Sequence, residues 1–301
     1  MHPYAPITPD PDELDAKADV VMVNYNGKQN LGPALDRWLS FKREGYLRDI
    51  IVVDNNSTDG STQFLNEEYP SVKCIENDTN VGWGTAVNIG INHAAAPYVF
   101  VSNPDMLVEE SWCYGLLRSI STRKDVGAAT GIILRPSGEI DGRGADFDWK
   151  FRFRYGPPSD SIRGVDSVRG SGMLIDRAIY ESVDGIADDL FIQWEEADLT
   201  LKMERAGYET IFVPGCLAWH CESVSQEAPL QYYYARNLYI VAGRHLPLRE
   251  YVRVLVVNLL LQTVVTWGLV LLGSRTPSTA YETTRGSLCG ALRSLFERAC
   301  R

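Results

Sequence analysis

Residues 18–105 alternate four times between a short apolar run and a polar loop, and a helical stretch follows each of the first three loops. The apolar runs occupy residues 18–26, 49–53, 72–75 and 98–102, and the helical stretches occupy residues 30–44, 61–68 and 85–95. Repeated strand–helix units build parallel sheets with right-handed crossovers. The sequence therefore predicts an α/β fold, in which a Rossmann-like, mostly parallel sheet carries helices on both faces.

Polar side chains come directly after each of the four predicted strands. Ligands of doubly wound sheets bind at the carboxyl ends of the strands, where such side chains converge. Most loops are polar, so ordinary loop chemistry is the alternative interpretation. Four consecutive strands that end in Asn or Asp favour a shared site. The residues concerned are Asn24, Asn26, Asp54, Asn55, Asn80, Gly82, Asn103 and Asp105.

The pattern becomes mixed after Asp105. It predicts a helix over 112–121, a strand over 126–134, an ordered loop over 142–164, a tight turn and strand over 169–176, and a short strand over 210–214. Before that last strand, Glu195 and Glu196 open a helix whose apolar face includes Leu199 and Met203. The helix dipole favours acidic residues in a first turn, so a structural role is the alternative to a chemical one.

Motifs and charge exclude several classes of protein. The chain has no GxxxxGK[ST], GxGxxG or GxSxG motif, which argues against P-loop hydrolases, Rossmann dehydrogenases and α/β-hydrolases. It carries 29 Lys and Arg against 39 Asp and Glu, a net charge of −10, which is unfavourable for binding nucleic acid. Its six cysteines lack zinc-finger spacing, which favours free thiols in a reducing, cytosolic setting.

The acidic residues at two separate positions suit two chemical tasks. Asp105 comes after a central strand, and Glu195 and Glu196 open a helix about 90 residues later. A single carboxylate together with phosphate oxygens can hold Mg²⁺, and an acidic protein needs such a cation to bind a diphosphate. The second carboxylate position can supply a general base for a hydroxyl nucleophile.

Seven segments, taken in order, resemble the family-2 inverting glycosyltransferases of the GT-A fold, and among them the rhamnosyltransferase-like enzymes. The resemblance covers about residues 20–244, roughly three quarters of the chain. The segments are VNYNG at 23–27, IVVDNNSTDGS at 51–61, NVGWGTAVNIG at 80–90, NPD at 103–105, GSGMLI at 170–175, WEEADL at 194–199, and His220.

The resemblance implies that the strand-end residues bind the nucleotide of a sugar donor. Within this set, Asn24 and Asp54 would contact the nucleoside, and Asn80, Gly82 and Asn88 would shape the pocket. The full implied nucleotide-binding set is Asn24, Asn26, Asp54, Asn55, Asn80, Gly82, Asn88 and Asn103.

The resemblance also implies a metal site and a phosphate site. The NPD segment stands where the family has an Asp-x-Asp metal motif, so Asp105 would reach a Mg²⁺ or Mn²⁺ ion. His220 matches a position that approaches the metal or the diphosphate, with a structural strand-end histidine as the alternative. Arg236 and Asn237 match an Arg-Asn pair that would hold a phosphate of donor or acceptor. For Arg236, a surface salt bridge is the alternative.

The implied reaction is inverting transfer of a sugar from a UDP- or dTDP-sugar to a polyprenyl- or dolichyl-linked or polysaccharide acceptor. Glu196 matches the family's catalytic base, although Glu195 or Asp198 could serve instead. Two other functions are the alternatives. One is a nucleotide-sugar-binding protein without catalysis, and the other is a sugar-phosphate nucleotidyltransferase, whose usual Gly-rich loop with Arg and Lys is missing after the first strand.

The C-terminal part predicts contact with a membrane. Residues 254–272 contain no charge and are long enough to approach the thickness of a bilayer core, but Asn258, Gln262 and Thr266 form a narrow polar stripe. Residues 244–301 hold eight Arg against three Glu, a charge of +5, whereas residues 1–243 carry −15. Basic residues on both flanks favour a helix in the membrane interface, or a re-entrant hairpin, over a clean span. A buried helix, or one that forms a homodimer, is the alternative.

These patterns divide the chain into four parts. Residues 1–19 form a flexible arm, residues 20–105 a nucleotide-sugar-binding half, residues 106–243 an acceptor and catalytic half, and residues 244–301 a membrane-associating helical tail. The implied location is the cytoplasmic face of the cell membrane, with peripheral attachment favoured over a single span.

Overall fold

The fold is described from a computed structural model, for residues 17–148, 150–155, 160–221 and 228–300. A ten-stranded sheet forms its centre, and its main path runs in the order β10-β12-β6-β11-β4-β1-β2-β3. The strands of this path are β1 (Ala18–Asn24), β2 (Leu47–Asp54), β3 (Lys73–Glu76), β4 (Tyr98–Ser102), β6 (Val126–Leu134), β10 (Arg163–Gly164), β11 (Gly172–Asp176) and β12 (Glu209–His220). Two short strands extend it, β5 (Met106–Val108) on β12 and β7 (Ile140–Gly142) on β6.

The predicted parallel half of the sheet is confirmed. Strand β1 pairs in parallel with both β2 and β4, and β2 pairs in parallel with β3. The second half is mixed, because β11 runs antiparallel between β4 and β6, while β6 and β12 are parallel to each other. The carboxyl ends of β1, β2 and β4 therefore meet at one edge, as the sequence predicts.

Helices cover both faces of the sheet. All seven residues of β1 are buried, and their side chains alternate between two cores. Val20 and Met22 belong to the core under α1 (Lys28–Arg43), α2 (Ser61–Glu68) and α4 (Glu110–Ser121). Val21 and Val23 belong to the core under α3 (Trp83–Asn92), α5 (Arg177–Ser182) and α6 (Glu195–Arg205). A strand buried on both faces reads as a continuous apolar run, which is the pattern in the sequence.

Two local predictions in the second half need correction. Residues 142–164 are not only an ordered loop, because β8 (Ala145–Phe147) and β9 (Phe153–Tyr155) form an antiparallel hairpin and β10 joins the main sheet. The last strand is longer than residues 210–214, since β12 continues to His220 through an irregularity between Phe212 and Leu217. Gly215 lies in that irregularity with a φ of 80°, a conformation that glycine adopts easily.

The C-terminal part forms three long helices, α7 (Ala228–His245), α8 (Leu248–Leu271) and α9 (Pro277–Ala299). Helices α7 and α9 pack so closely that a Cβ atom on Gly286 or Gly290 would overlap the backbone carbonyls of Tyr232 and Arg236. Helix α8 is the one described helix long and apolar enough to cross a membrane by length and composition, which is weak evidence of a span.

Two residues of the polar stripe of α8 face the protein. Asn258 is buried and donates from Nδ2 to the carbonyl of Lys150 at 2.8 Å, and Thr266 is also buried. The side chain of Gln262 lies outside the described residues. Several basic residues of this part also turn inward, since Arg244 and Arg293 pair with Asp189. The positive charge of the tail is therefore used partly to attach it to the rest of the chain.

Candidate active site

The loops after β1 and β2 are joined by buried polar side chains. Asn24 donates from Nδ2 to Asp54 Oδ2 at 2.7 Å and to Ser57 Oγ at 3.1 Å. Asp54 Oδ1 accepts from the amide of Ser57 at 2.8 Å, and Asn26 Oδ1 accepts from the amide of Thr58 at 2.7 Å. Asn24 and Asp54 are buried, so these two side chains fix the shape of the loops.

A cavity of about 240 Å³ opens at the ends of these strands. Asn55 borders it and donates from Nδ2 to the carbonyl of Gly82 at 3.1 Å, while Asn80 Oδ1 accepts from the amide of Gly82 at 3.0 Å. Gly82 has a φ of 88° and lies against the backbone of Phe191, which leaves no room for a side chain. The predicted residues that line this cavity are Asn26, Asn55, Asn80, Gly82, Asn103 and Asp105.

Asn88 does not line this cavity. It lies on α3 and donates from Nδ2 to the carbonyl of Ile186 and to Asp188 Oδ1, both at 2.8 Å. Its Oδ1 accepts from the hydroxyl of Tyr180. Asn88 therefore fixes the segment that leads to the 3₁₀ helix Asp188–Leu190, and any effect on a ligand passes through that segment.

A larger cavity of about 710 Å³ adjoins the first. Trp83, Asn103, Asp105 and Ile192 line both cavities, so they mark the junction between them. At this junction the indole of Trp83 donates from Nε1 to Asn103 Oδ1 at 2.9 Å. Glu195, Glu196 and His220 line the larger cavity only. The structure thus brings the two predicted acidic positions and the predicted histidine into one space.

His220 ends β12 between two carboxylates. Its Nε2 lies 2.9 Å from Asp105 Oδ2, and its Nδ1 lies 2.9 Å from Asp141 Oδ2. Burial alone would lower the pKa of His220, but the hydrogen bonds to Asp105 and Asp141 outweigh it and raise that pKa. Burial alone would raise the pKa of Asp141, but Arg135, Arg169 and His220 hold it below its usual value. The imidazole is fixed at both ring nitrogens and orients Asp105.

The residues around Asp105 suit a divalent cation. Asp105 Oδ1 is shielded from solvent and has no hydrogen-bond partner among the described residues, so this oxygen is available to a cation. Over the described ranges, no group of three or more His, Cys, Asp or Glu side chains forms a metal cluster. A cation at Asp105 would therefore take most of its ligands from water and phosphate oxygens, as Mg²⁺ commonly does.

Glu195 and Glu196 occupy the first turn of α6 in different surroundings. Glu195 is 4% exposed, and its Oε2 has no hydrogen-bond partner in the described part of the chain. Burial, reinforced by the charge of Glu196, raises the pKa of Glu195. Glu196 is less buried and faces the cavity. Burial raises its pKa as well, and the positive charge of Arg169 opposes that rise.

The segment before α6 has an unusual backbone. Phe191, Gln193 and Trp194 have φ values of 62°, 72° and 74°, in the region that favours glycine. Asn237 on α7 lies beneath this segment, with its Nδ2 within 2.7 to 2.9 Å of the carbonyls of Leu190, Ile192 and Gln193. Polar contacts from α7 thus compensate the strained backbone that leads to the two glutamates.

Three further predicted site residues do not line either cavity. Arg236 donates from Nη1 to the carbonyl of Asp189 and to Asn237 Oδ1, so the Arg236–Asn237 pair supports the strained segment. Asp198 points to α7, where its Oδ1 lies 2.8 Å from His245 Nε2. Asp198 therefore lies outside the cavity that Glu195 and Glu196 line, and its carboxylate is held by His245.

Several residues of the larger cavity are absent from the sequence predictions. They come mainly from the Gly142–Gly164 region and its borders, where no periodic pattern marked single residues. The alternation of Arg with aromatic residues at 151–155 is the one signal that could have identified part of the set. These residues are Asp141, which contacts His220, and the cavity-lining Arg143, Arg152, Phe153, Arg154, Tyr155, Arg169 and Tyr234.

Residues 19–183 match the model of a protein family described as glycosyl transferase family 2. The chain belongs to this family. Its fold is similar to that of GalNAc-T7 with UDP, GalNAc and Mn²⁺, with a TM-score of 0.63 at 18% identity over 76% of this chain and 50% of that one. It is also similar to a mannosyltransferase from Pyrobaculum calidifontis in complex with GDP-Man and Mn²⁺, with a TM-score of 0.60 at 16% identity over 98% and 91% of the two chains. The predicted family and GT-A fold are confirmed.

Two curated relatives are similar in sequence to this glycosyltransferase. The N-acetylglucosaminyl-diphospho-decaprenol L-rhamnosyltransferase of Mycobacterium tuberculosis is 27% identical over 233 residues, which cover 67% of this chain and 75% of that protein. The poly-beta-1,6-N-acetyl-D-glucosamine synthase of Staphylococcus aureus is 22% identical over 217 residues, which cover 69% of this chain and 50% of that protein. The first relative agrees with the predicted rhamnosyltransferase-like resemblance.

Proposed function

We propose that this glycosyltransferase moves a sugar from a nucleoside-diphosphate donor to a lipid-linked or growing glycan acceptor, with inversion at the anomeric carbon. One observation carries the proposal. Asp105 lies at the junction of the two cavities, and Glu196 lines the larger one. A donor diphosphate beside Asp105 and an acceptor hydroxyl beside Glu196 could then meet in one space.

The smaller cavity is the proposed donor site. Asn26, Asn55, Asn80, Gly82 and Asn103 supply amide groups and backbone around it. Asn24, Asp54 and Asn88 act by holding the loops in place, through their hydrogen bonds to neighbouring loop residues. The nucleoside is uridine or thymidine in this proposal, and the sugar is a hexose, a hexuronic acid or rhamnose.

Asp105 is the proposed ligand of a Mg²⁺ or Mn²⁺ ion, and His220 holds its carboxylate in place. When bound, the cation neutralises charge on the leaving diphosphate. The chain itself contributes the free Oδ1 of Asp105 and the imidazole that fixes Oδ2. Mn²⁺ in the two similar solved structures supports this assignment.

Glu196 is the proposed general base. In this mechanism it removes the proton of the acceptor hydroxyl, whose oxygen attacks the anomeric carbon from the side opposite the leaving diphosphate. Inversion follows from this single displacement. Glu195 is less suitable, because it is more buried than Glu196 and burial favours its neutral form. Asp198 is less suitable because its carboxylate is paired with His245.

A membrane-bound acceptor is part of the proposal. The curated relative from Mycobacterium tuberculosis is named for a diphospho-decaprenol acceptor, which is a lipid. Helix α8 exposes Val252, Val256, Leu260 and Val264, which recur every four residues and form an apolar stripe. We place this stripe in the cytoplasmic face of the cell membrane. The buried Asn258 of the same helix favours a helix that lies along the membrane over one that crosses it.

The replacement Glu196→Gln tests the proposed base. It keeps the size of the side chain but cannot accept the proton, so the transfer rate should fall by about 10²–10⁴-fold. Transfer would be measured with a panel of UDP- and dTDP-sugars, Mn²⁺, and N-acetylglucosaminyl diphosphofarnesol as the acceptor. Glu204→Gln, an exposed position of the same helix, is the matched control and should leave the rate unchanged.

The same assay, with a parallel incubation that contains a sugar phosphate and a nucleoside triphosphate, separates the alternative functions. If the wild-type chain binds a nucleotide-sugar but neither hydrolyses nor transfers it, the protein is a binding protein. If Glu196→Gln keeps the rate within about tenfold of wild type, Glu196 is not the base. Formation of a nucleotide-sugar from a sugar phosphate and a nucleoside triphosphate would instead indicate a nucleotidyltransferase.

A further inference from the structure

Arg143 is a cation whose inner atoms find no partner among the described residues. It comes directly after β7 and lines the larger cavity. Its Nε and Nη1 atoms are shielded from solvent and have no hydrogen-bond partner in the part of the chain that the structure describes. Guanidinium groups remain charged at any physiological pH, and removing one from water without a compensating anion is costly. Both donors are therefore available to an anion that enters the cavity.

The other arginines of the cavity differ from Arg143. Arg169 pairs with Asp141 through Nη2 at 3.1 Å. Arg152 and Arg154 share one carboxylate, that of Asp148, at 3.0 and 3.3 Å. These two side chains are 46% and 66% exposed, so they carry an excess of positive charge at the rim of the cavity. Arg143 and this basic rim together place positive charge on a cavity that the carboxyl groups of Asp105, Glu195 and Glu196 also line.

We propose that Arg143 binds a phosphate group of the acceptor, with Arg152 and Arg154 at the entrance. This inference rests on the proposed function and specifies its acceptor as a phosphate- or diphosphate-bearing lipid. The planar guanidinium matches phosphate oxygens in a bidentate manner, which a sugar hydroxyl cannot reproduce.

The position of Arg143 favours the acceptor over the donor. Arg143 lines the larger cavity and is absent from the lining of the smaller cavity, where Asn80 and Gly82 lie. Phe153, Tyr155 and Tyr234 line the same larger cavity and offer the aromatic surface that a sugar or prenyl group would contact. A phosphate held by Arg143 would fix the acceptor on the side of the cavity that contains Glu196.

Isothermal titration calorimetry of the full chain tests this inference, with farnesyl diphosphate as the probe. Farnesol, which lacks the diphosphate, is the uncharged control ligand. Loss of a charge-assisted contact in Arg143→Gln should weaken farnesyl diphosphate binding by about 10- to 100-fold. UDP binding with Mn²⁺ should change by less than about twofold. Arg123→Gln is the control, because Arg123 pairs with Asp125 and Glu209 outside both cavities.

Three results would overturn the inference. The first is that wild type and Arg143→Gln bind farnesyl diphosphate with equal affinity. The second is that the wild type binds farnesol as tightly as farnesyl diphosphate. The third is that Arg143→Gln loses affinity for UDP and keeps its affinity for farnesyl diphosphate. The last would assign Arg143 to the donor. If Arg143→Gln does not fold, Arg143→Lys replaces it, and unchanged farnesyl diphosphate affinity in that variant would also contradict a bidentate contact.

The phosphate site and the proposed function can be refuted separately. Suppose that Arg143→Gln binds farnesyl diphosphate as wild type does and still transfers sugar to a phosphate-free glycan. The glycosyltransferase assignment would then stand, and the phosphate site would be refuted. Absence of any sugar transfer by the wild type would remove the proposed function, even if Arg143 binds farnesyl diphosphate.

Discussion

Glu195 and Glu196 are neighbours in the sequence, but the fold gives them different roles. Both line the larger cavity, but successive residues of a helix point about 100° apart, and Glu195 is the more deeply buried of the two. The position of Glu195 is unfavourable for a charge, because its buried Oε2 has no partner among the described residues and Glu196 lies close by. The neutral form of Glu195 is therefore the stable one in the folded chain.

The replacement Glu195→Gln should stabilise the protein at alkaline pH. The pKa of Glu195 is raised above its ordinary 4.5, so the unfolded chain loses this proton before the folded chain does. Stability is thus fully present below pH 4.5 and falls as the pH rises toward and through the raised pKa. Glutamine cannot ionise, so the Tm difference in favour of Glu195→Gln should grow between about pH 5 and about pH 9.

Thermal unfolding across this pH range measures the effect, and Glu204→Gln on the exposed side of α6 is the control. A gain of the order of 2 °C at the alkaline end would be readily detected. A Tm difference that stays constant with pH would mean that Glu195 ionises in the fold as it does in the unfolded chain.

At the scale of single residues, the sequence identifies side chains at strand ends better than side chains in irregular segments. Asp105 comes shortly after β4 and His220 ends β12, and the structure places their side chains 2.9 Å apart. Asp141 and Arg143 could not be identified, because their segment has neither helical nor strand periodicity. Their positions depend on pairing between β6 and β7, which is a tertiary contact.

Among the elements, α7 links α9 to the segment that precedes α6. One face of α7 supports the strained backbone at Phe191–Trp194 through Asn237, and another packs against α9. Arg293 on α9 also pairs with Asp189, at the start of the same segment. The sequence divides the chain at residue 244, but the contacts of α9 extend to the segment that places Glu195 and Glu196.

The contact between α7 and α9 should be sensitive to one methyl group. A Cβ atom at Gly290 would overlap the carbonyl of Arg236, so Gly290→Ala should force the helices apart. The free energy of unfolding should fall by about 1–3 kcal/mol. Gly268→Ala on α8 is the matched control, because its Cβ would meet nothing within 4 Å. In that variant the higher helix propensity of alanine should raise the free energy of unfolding by about 0.5–1 kcal/mol.

Urea unfolding monitored by circular dichroism compares the two alanine variants. We expect the midpoint to fall in Gly290→Ala and to rise in Gly268→Ala. Since α9 supports the segment before α6, Gly290→Ala should also reduce sugar transfer. Equal midpoints in the two variants would show that α7 and α9 can separate at no cost, which contradicts the close packing.

On the scale of the whole molecule, the acidic body and the basic tail are less separate than the sequence suggests. Arg293 and Arg244 pair with Asp189, and Arg298 donates to the carbonyls of Gly243 and Leu246. Arg293 and Arg298 attach α9 to its neighbours, and Arg244 attaches α7 to Asp189. The exposed apolar side chains of the C-terminal helices include the stripe of α8 and also Leu288, Leu292 and Phe296 of α9.

Membrane binding by this surface should therefore depend on apolar contact more than on charge. Burial of a leucine or valine side chain contributes about 1.5–3 kcal/mol, so Leu260→Gln and Val264→Gln should each weaken partitioning by about 10- to 100-fold. Flotation with phosphatidylcholine vesicles measures this, and adding phosphatidylglycerol should increase binding only slightly. Ile162→Gln, an exposed apolar position outside the C-terminal helices, is the control and should float like wild type.

The outcome also distinguishes a helix on the membrane from one across it. A helix in the interface is released from vesicles by Leu260→Gln with Val264→Gln, and by high pH, whereas a spanning helix resists alkaline extraction. Because Asn258 is bonded to Lys150 and Thr266 is buried, α8 would have to leave the protein to span a bilayer. Resistance to alkaline extraction would mean that these contacts break in the membrane, and a wild-type chain that does not float would remove the membrane surface from the proposal.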